Sequence, residues 1–398
     1  MANPLIAALE IGSSNTTLLV GEPDANGRMH VEGAGRVTSM GVRKGQIVNF
    51  DHAVQCITQA VGKVTEKKFD VGRVLIAAGG GYIGSFSNHG STPVRSRNQV
   101  VSLDDIEDVR ELAGSVTLPS PTAARMHTIP QKFRLDGQTG IVRPEGLKGT
   151  TLSLGMLVVH AERGPVENLK NAAAAASLDV EDIVFSAYAA SFAVLSQEQR
   201  DAGVAVVDLG GGTTNAMAFV DGVPADAWSI GVGGDHVTND IAMAFNVPHQ
   251  RAQQLKHEYA SALPGGGSER IPVPADFGIR DRTISLKALR TVSNARMDEL
   301  FRILRDRLDR MEILRKLGAG IVLTGGGAAF SGVTDLAQSL FGVPCTIGTL
   351  RNISGLEDEE HPESFAAPAG LLEYGLRSYN SNAAKSGIFG SLFRSFRI

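Results

Sequence analysis

The stretch "GVAVVDLGGGTTNAMAFVDG", residues 203–222, decides the fold. An apolar run ends at an acid, Asp208, and glycines follow it closely. Small polar residues come next, and then a second apolar run. This pattern predicts a β-hairpin with a glycine-rich turn. It occurs again in "LIAALEIGSSNTTLLVGE", residues 5–22, where Glu10-Ile11-Gly12 matches Asp208-Leu209-Gly210. Because the copies are about two hundred residues apart, they predict a duplicated α/β fold.

The two turns also predict a chemistry. A glycine-rich turn presents backbone N–H groups in a concave nest that suits phosphate oxygens. The acid before each turn, Glu10 or Asp208, can hold waters on a Mg²⁺ ion. Either turn alone is equally compatible with a plain hairpin that uses glycine for positive φ, but two copies with an acid at the same offset favour a nucleotide-clamping fold. The candidate phosphate-binding residues are Gly12, Ser13, Ser14, Asn15, Thr16, Gly210, Gly211, Gly212, Thr213, Thr214 and Asn215.

A third glycine turn lies in "AGIVLTGGGAAFSGVTDLAQSL", which starts at Ala319. The pattern predicts a strand, a turn at Gly325, Gly326 and Gly327, and a helix that begins near Ser331. Glycine there would let the backbone approach a flat ligand such as adenine. Two other glycine runs predict only local structure: "PGGGSER" a flexible loop, and residues 79–81 an exit from a strand.

Composition excludes several classes of protein. The chain has 398 residues, so two or more subdomains are expected. Its 43% hydrophobic and 20% charged residues are typical of a globular protein, and a net charge of −4 gives no basic field for nucleic acid. The two cysteines, Cys56 and Cys345, favour a reducing compartment. The N-terminus does not resemble a signal peptide. The sequence contains no run of about 18 apolar residues, so we expect no membrane-spanning helix.

Further motifs carry a family resemblance. Together with the two turns, "FSAYAASFAVL" (185–195), "VLTGGG" (322–327) and "AAPAGLLEYG" (366–375) resemble the superfamily of actin, the heat-shock chaperones and the sugar kinases. Four stretches narrow the resemblance to the bacterial FtsA family over nearly the whole chain. They are "RVTSMGVRKGQIVNFD" (36–51), "MHTIPQKFRLDGQTGIVRPEGLKG" (126–149), "LRNISGLED" (350–358) and the apolar, basic tail.

The resemblance implies an actin-like two-domain α/β fold, with duplicated nucleotide-clamping halves and an inserted subdomain, 1C. Lobe 1A would take residues 1–81, 162–202 and a final helix at 366–380. The inserted lobe 1C would span 82–161, where Ser102 is a predicted helix cap. The remaining predicted segments are 203–238 and 319–365 for lobe 2A, 239–318 for lobe 2B, and 381–398 for a flexible tether and an amphipathic membrane-targeting helix.

The resemblance also implies that ATP and Mg²⁺ bind between the lobes. Lys256 would lie near the ribose and Gly325–Gly327 near adenine, with Gly233 and Gly234 also at the nucleotide. Three positions depart from the family pattern: Asn15 replaces a lysine, Asn215 an acid and Gln253 a glutamate. Asn and Gln still form hydrogen bonds, so we expect nucleotide binding with weak or absent hydrolysis. No catalytic residue is assigned beyond Glu10 and Asp208, the candidates for holding Mg²⁺ through water.

The function that the resemblance implies is a cell-division scaffold. It would polymerise, tether FtsZ filaments at the cytoplasmic face of the cell membrane at the division site, and contact other division proteins through lobe 1C. Arg296, on a predicted helix of lobe 2B, is the candidate residue for binding the C-terminal tail of FtsZ; an ordinary surface arginine is the alternative. Two other functions stay open: a sugar or acetate kinase of the same superfamily, and a type IV pilus assembly protein similar to PilM.

The tail "GIFGSLFRSFRI", residues 387–398, predicts an amphipathic helix. At about 100° per residue, its apolar residues form one stripe and its two arginines lie on the opposite side. This is the pattern of a helix that lies in a membrane interface and contacts anionic lipid; a terminal helix packed on the protein's own core is the alternative. The candidate membrane-binding residues are Ile388, Phe389, Leu392, Phe393, Arg394, Phe396 and Arg397.

Overall fold

The structure is a computed structural model that describes residues 4–65, 69–274 and 281–383. In these ranges the chain alternates strands and helices. The strands are β1 (Ile6–Ile11), β2 (Asn15–Pro23), β3 (Met29–Thr38), β4 (Val42–Arg43), β5 (Gln46–Ile47), β6 (Arg73–Ala78), β7 (Ile83–Pro93), β8 (Ala123–Leu135), β9 (Gln138–Ile141), β10 (Thr151–Glu162), β11 (Asp179–Phe185), β12 (Val204–Leu209), β13 (Thr214–Val220), β14 (Val223–Ile230), β15 (Arg270–Val273), β16 (Arg282–Ser285), β17 (Ile321–Thr324), β18 (Cys345–Ile347) and β19 (Ile353–Ser354). The α-helices are α1 (Phe50–Thr65), α2 (Leu103–Gly114), α3 (Arg163–Ala175), α4 (Ser186–Val194), α5 (Gln197–Ala202), α6 (Gly234–Phe245), α7 (His249–Tyr259), α8 (Leu286–Arg310), α9 (Val333–Phe341) and α10 (Ala366–Ala383).

Two sheets repeat one topology, which confirms the duplication. The first has the strand order β11-β6-β1-β2-β3-β19 and the second β14-β13-β12-β17-β18. In each, three strands form an antiparallel meander: β1, β2 and β3 in the first sheet, and β12, β13 and β14 in the second. Two parallel strands then extend the sheet from the first strand of the meander. Helices connect the parallel strands, as parallel pairing requires.

An inserted unit interrupts the first half. The antiparallel sheet β7-β10-β8-β9 carries α2 on one face, with Ile106 and Val109 in its own small core. Ser102 caps α2 as predicted, since its Oγ accepts the Asp105 N–H at 3.2 Å and the Asp105 side chain accepts the Ser102 N–H at 2.9 Å. This reciprocal pair is a capping box, which satisfies two N–H groups that the helix leaves free.

The insert is anchored to the second half through a buried carboxylate. Asp226 on β14 is 2% exposed and accepts hydrogen bonds from Arg307 on α8 at 2.8 and 2.9 Å. The Ser85 hydroxyl on β7 donates to the same carboxylate at 3.0 Å. Because a buried charge is stable only when it is paired, this cluster fixes strand β7 of the insert against the second sheet.

Each half has its own apolar core. In the first half, α10 and α4 pack so closely that a Cβ added to Gly370 would lie 1.9 Å from the Ala189 carbonyl oxygen. In the second half, α8 buries Leu289, Leu300 and Leu304 on one face, the periodicity of an amphipathic helix. The predicted boundary at residues 238 and 239 falls inside α6; the lobe boundaries as a set stay a prediction. Within the described ranges no helix is long and apolar enough to cross a bilayer.

Candidate functional site

The two glycine-rich turns close in the same way. The Gly12 N–H donates to the Asn15 carbonyl at 3.0 Å, and the Gly210 N–H donates to the Thr213 carbonyl at 2.9 Å. The first turn joins β1 to β2 and the second joins β12 to β13. Both hairpins predicted from the repeat are therefore present, each at the end of the first strand of its meander.

The two turns lie directly against each other. A Cβ added to Gly211 would lie 1.9 Å from the Ser14 Oγ, and one added to Gly212 would lie 2.5 Å from the Ser13 Oγ. Contacts below 3.0 Å are essentially never seen for real Cβ atoms. The approach of the two halves therefore depends on glycine at both positions, which brings four of the predicted phosphate-binding residues together.

Two carboxylates accompany the turns. Burial, reinforced by the nearby charge of Asp208 and opposed by Arg36, raises the pKa of Glu10 to about 8. Burial also raises the pKa of Asp208, which is 6% exposed and accepts a hydrogen bond from the Asn215 amide at 3.4 Å. Among the described residues neither carboxylate is in a salt bridge. Because two neighbouring carboxylates in a poorly hydrated site repel each other, either protonation of one of them or binding of a cation is favourable.

This donor set suits Mg²⁺. The ion prefers oxygen ligands, is bound through one or two carboxylates, and keeps several waters. Within residues 4–65, 69–274 and 281–383, no cluster of three or more His, Cys, Asp or Glu side chains is placed to hold a metal. A metal at Glu10 and Asp208 would therefore keep water or phosphate oxygens as its remaining ligands.

Asn215 joins the two halves. Its Oδ1 accepts from the Ser229 hydroxyl at 2.6 Å, and the Ser229 hydroxyl in turn accepts the Gly80 N–H at 3.0 Å. A Cβ added to Gly79 would lie 2.6 Å from the Asn215 Nδ2. Residues 79–81 do end a strand, as expected, but they also pack against the second half beside the site. An amide at position 215 can donate to Asp208 and accept from Ser229 at once, which an ionised carboxylate cannot do.

Lys44 reaches the site from the short β4–β5 hairpin, and the sequence interpretation missed it. The neighbouring Gly45 N–H donates to the Ser13 hydroxyl at 3.1 Å, and the Lys44 N lies 2.9 Å from a Cβ added to Gly212. The Lys44 Cδ lies 3.5 Å from a Cβ added to Gly231, so the side chain extends towards the second half. A lysine between glycines of positive φ in "MGVRKGQ" is the sequence signal that could have found it.

The N-terminus of α6 abuts the second turn. The Gly234 N–H donates to the Gly210 carbonyl at 3.0 Å, and a Cβ added to Gly233 would lie 2.5 Å from the carbonyl oxygens of Gly210 and Gly211. Lys256 on α7 donates to the Gly234 carbonyl at 3.3 Å, and burial lowers its pKa. The lysine therefore lies where the second turn and α6 meet, although its partner here is a carbonyl group.

The third glycine turn packs mainly on its own sheet. Gly325 has φ +79°, and a Cβ added there would lie 2.4 Å from the Asp208 Oδ1. A Cβ added to Gly327 would lie 2.7 Å from the Leu209 Cβ, whereas one added to Gly326 meets nothing within 4 Å. Only Gly326 therefore faces open space, where a flat ligand could approach. The predicted helix follows, beginning at Val333.

The remaining candidates are Arg296, Gln253 and the residues of the C-terminal tail. Arg296 on α8 donates to both carboxylate oxygens of Asp240, at 2.6 and 3.0 Å, and also pairs with Glu299. Its guanidinium is thus already bound within the protein, and a peptide carboxylate would have to replace Asp240. Gln253 is exposed on α7. The candidate membrane residues, 388–397, lie outside the described residues.

Comparisons with known proteins agree with this architecture. A family model described as "Cell division protein FtsA" matches residues 205–370, and "SHS2 domain inserted in FTSA" matches residues 80–160. The chain is 34% identical over 394 residues to the cell division protein FtsA of Pseudomonas aeruginosa, which covers 98% of this chain and 94% of that protein. It is 31% identical over 392 residues to the FtsA protein of Escherichia coli strain K12, which covers 96% and 92%.

Solved structures share the fold. A PilM–PilN type IV pilus biogenesis complex matches with a TM-score of 0.63 and 16% identity, covering 94% of this chain and 99% of that chain. MreB5 of Spiroplasma citri bound to ADP matches with a TM-score of 0.58 and 15% identity, covering 96% and 99%. At these identities the likeness shows the fold alone, which is an actin-like α/β fold with an inserted SHS2 domain.

Proposed function

Because the chain belongs to the FtsA family of cell division proteins, we propose that it is an ATP-binding scaffold that polymerises on the cytoplasmic membrane and tethers FtsZ filaments there. The observation that carries nucleotide binding is the meeting of two equivalent turns, with Glu10 and Asp208 beside them. Backbone N–H groups in such turns bind phosphate, and a divalent cation would relieve the repulsion between the carboxylates.

The ligands divide among three groups of residues. Turn residues 12–16 and 210–215 hold phosphates through backbone and hydroxyl donors, Glu10 and Asp208 hold Mg²⁺ through water, and Gly326 leaves room for adenine. Bound Mg²⁺ neutralises phosphate charge. Lys44 supplies a positive charge that Asn15, in place of the family's lysine, does not. Lys44 is, however, an exposed side chain on a different hairpin. We therefore expect the site to bind ATP and to hydrolyse it weakly or not at all.

The membrane and partner roles rest on family membership and the tail sequence. Each apolar side chain that one tail buries in the membrane contributes at most about 1.5–3 kcal/mol to the free energy of binding. Each arginine near anionic lipid contributes about 1 kcal/mol more. Ordering twelve residues opposes this at about 1–2 kcal/mol each. A single tail therefore binds reversibly, and a polymer that presents many tails holds firmly through avidity. Attachment at the division site thus depends on self-assembly.

The other two functions have less support. A sugar or acetate kinase has no evident need of an apolar, basic tail, and the chain lacks a recognisable sugar-binding insertion. The PilM complex shares the fold at 16% identity, but the two matched family models describe FtsA and its inserted domain. The FtsZ tail and the other division proteins expected at lobe 1C are thus the partners we propose.

A titration of ATP with and without Mg²⁺ tests the nucleotide site. Asp208→Ala should weaken binding in Mg²⁺ and leave binding in EDTA unchanged, because the carboxylate acts through the metal. Asp208→Asn keeps the shape of the side chain and isolates the effect of charge, and Asp306→Ala, an exposed acid on α8, is the matched control. If both Asp208 variants titrate with ATP and Mg²⁺ like the wild type, the metal role is wrong.

A further inference from the structure

A cavity of about 400 Å³ lies away from the paired turns, where three parts of the fold meet. Its walls come from α4, α5 and α10 of the first half, from β8 of the insert, and from the end of the β13–β14 hairpin of the second half. Strand β13 starts in the phosphate turn at Thr214 and reaches the cavity at Phe219. At about 3.3 Å per residue, these five residues separate the two places by roughly 17 Å.

Three arginines line this cavity: Arg200 on α5, Arg377 on α10, and Arg351 on the segment before β19. No aspartate or glutamate lines it. The three residues come from positions far apart in the chain, so only the tertiary structure brings their guanidinium groups to one cavity. A concave surface with three positive charges and no negative charge attracts anions.

Aromatic rings hold two of the guanidinium groups in place. Arg200 lies 4.4 Å above the Phe219 ring, and its Nη2 donates to the Ser191 carbonyl at 2.6 Å. Arg377 lies 4.9 Å above the Phe192 ring. Stacking on rings fixes the plane of each guanidinium, so less freedom is lost when an anion binds.

Carboxylates compensate these charges only in part. Hydrogen bonding to Ser196 and, to a smaller extent, the charge of Arg351 lower the pKa of Glu198, but this carboxylate forms no salt bridge with Arg351. Burial lowers the pKa of Arg200 to about 10, which leaves it charged at neutral pH. Among the described residues, neither Arg200 nor Arg351 has a carboxylate within salt-bridge distance. Arg377 has only Glu373 at 3.9 Å, and burial raises the pKa of that carboxyl group. Arg200 is half-buried, whereas Arg351 and Arg377 are exposed at the mouth of the cavity. A half-buried cation without a carboxylate is costly, and an anion bound beside Arg200 would offset that cost.

We propose that this cavity binds a small phosphate-bearing anion. Its volume falls in the range of about 300–1,000 Å³ that small-molecule sites occupy. A guanidinium presents a planar fork of N–H donors that matches phosphate oxygens in pairs, and three forks around one cavity suit a multiply charged group. The site is independent of the nucleotide turns and does not rest on the proposed scaffold function.

Isothermal titration of the full chain with inorganic pyrophosphate, in metal-free buffer at constant ionic strength, tests the proposal. We expect saturable binding with one tight site. Arg351→Gln and Arg377→Gln should each weaken it about tenfold, and the double variant by more than either alone. Arg134→Gln, an exposed arginine of β8 outside the cavity, is the matched control and should titrate like the wild type. Arg200 is left intact because it packs in the core of the wall.

Lys44→Ala distinguishes the cavity from the paired turns as the place where the probe binds. If Lys44→Ala weakens pyrophosphate binding and the two cavity variants do not, the anion occupies the turns and the proposal is wrong. Absence of saturable pyrophosphate binding to the wild type also overturns the proposal. So does a loss of affinity in Arg134→Gln equal to that in the cavity variants, because it would indicate a diffuse effect of net charge. Circular dichroism of each variant verifies that a loss of binding is not a loss of fold.

Discussion

Gly211→Ala tests whether the two turns meet as the structure has them. The new Cβ would lie 1.9 Å from the Ser14 Oγ, about 1.1 Å inside the 3.0 Å limit for such contacts. The Ser14 Cβ, at 3.0 Å, sets a second limit that rotation of the hydroxyl does not relieve. The halves of the protein must therefore move apart or the turns must distort.

The size of the effect follows from a matched comparison. Gly326→Ala adds the same methyl group at the third glycine turn, where its Cβ meets nothing within 4 Å. Neither glycine has a positive φ, so the gain of about 0.4–1 kcal/mol from restricting the unfolded chain is common to both variants. The difference is then the overpacking cost alone, about 1–3 kcal/mol. We expect the lower half of that range because rotation of the Ser14 hydroxyl relieves the 1.9 Å contact and leaves the 3.0 Å contact with the Ser14 Cβ.

Urea unfolding followed by the fluorescence of Trp228, the only tryptophan in the sequence, measures this difference in the second half. Ser14→Gly removes the opposing side chain, so the pair Gly211→Ala and Ser14→Gly should be non-additive by about 1 kcal/mol. The two turns do not meet as described if the changes in the free energy of unfolding add to within about 0.3 kcal/mol, or if Gly211→Ala is as stable as Gly326→Ala.

Four further predictions concern charge and partners. Lys44→Ala should weaken ATP binding by about tenfold, because a hydrogen bond to a charged group contributes at least about 1.5 kcal/mol. An unchanged affinity would show that Lys44 does not contact the nucleotide. Because the pKa of Glu10 is raised from 4.5 to about 8 in the folded state, the contribution of Glu10 to stability in metal-free buffer should be fully present below about pH 4.5 and be lost as the pH rises from there through 8. Glu10→Gln should flatten that slope in urea titrations, and a slope unchanged by the substitution would contradict it. Arg296→Glu should reduce binding of an FtsZ tail peptide in fluorescence anisotropy while Arg302→Glu, on the same helix, should not, and equal effects would place the peptide elsewhere. Phe393→Glu should release the protein from sedimenting anionic liposomes without changing ATP binding, and full co-sedimentation would show that the tail is not the anchor.

Local patterns predicted the site most successfully where neighbouring residues decide the structure. Both hairpins and the Ser102 cap depend on contacts within a few residues. The two glycine turns were found because a hairpin needs particular backbone angles, and such needs are visible as residue types. Asn215 was identified as a candidate phosphate-binding residue and as a departure from the family's acid. Its hydrogen bonds to Asp208 and Ser229 on the neighbouring strands depend on side-chain orientations, which residue types alone do not reveal.

The duplicated α/β fold, the FtsA family and the position of each turn were determined by the sequence alone, because repeats and turn residues are written locally along the chain. The tertiary structure alone decided the contact of Gly211 with Ser14, the approach of Lys44 to the second turn, and the pairing of Arg296 with Asp240. The physical reason is that tertiary packing joins residues far apart in the chain, within the second half for Arg296 and Asp240 and between the two halves for the other contacts. Its free energy comes from many contacts at once. No single stretch of sequence carries that information.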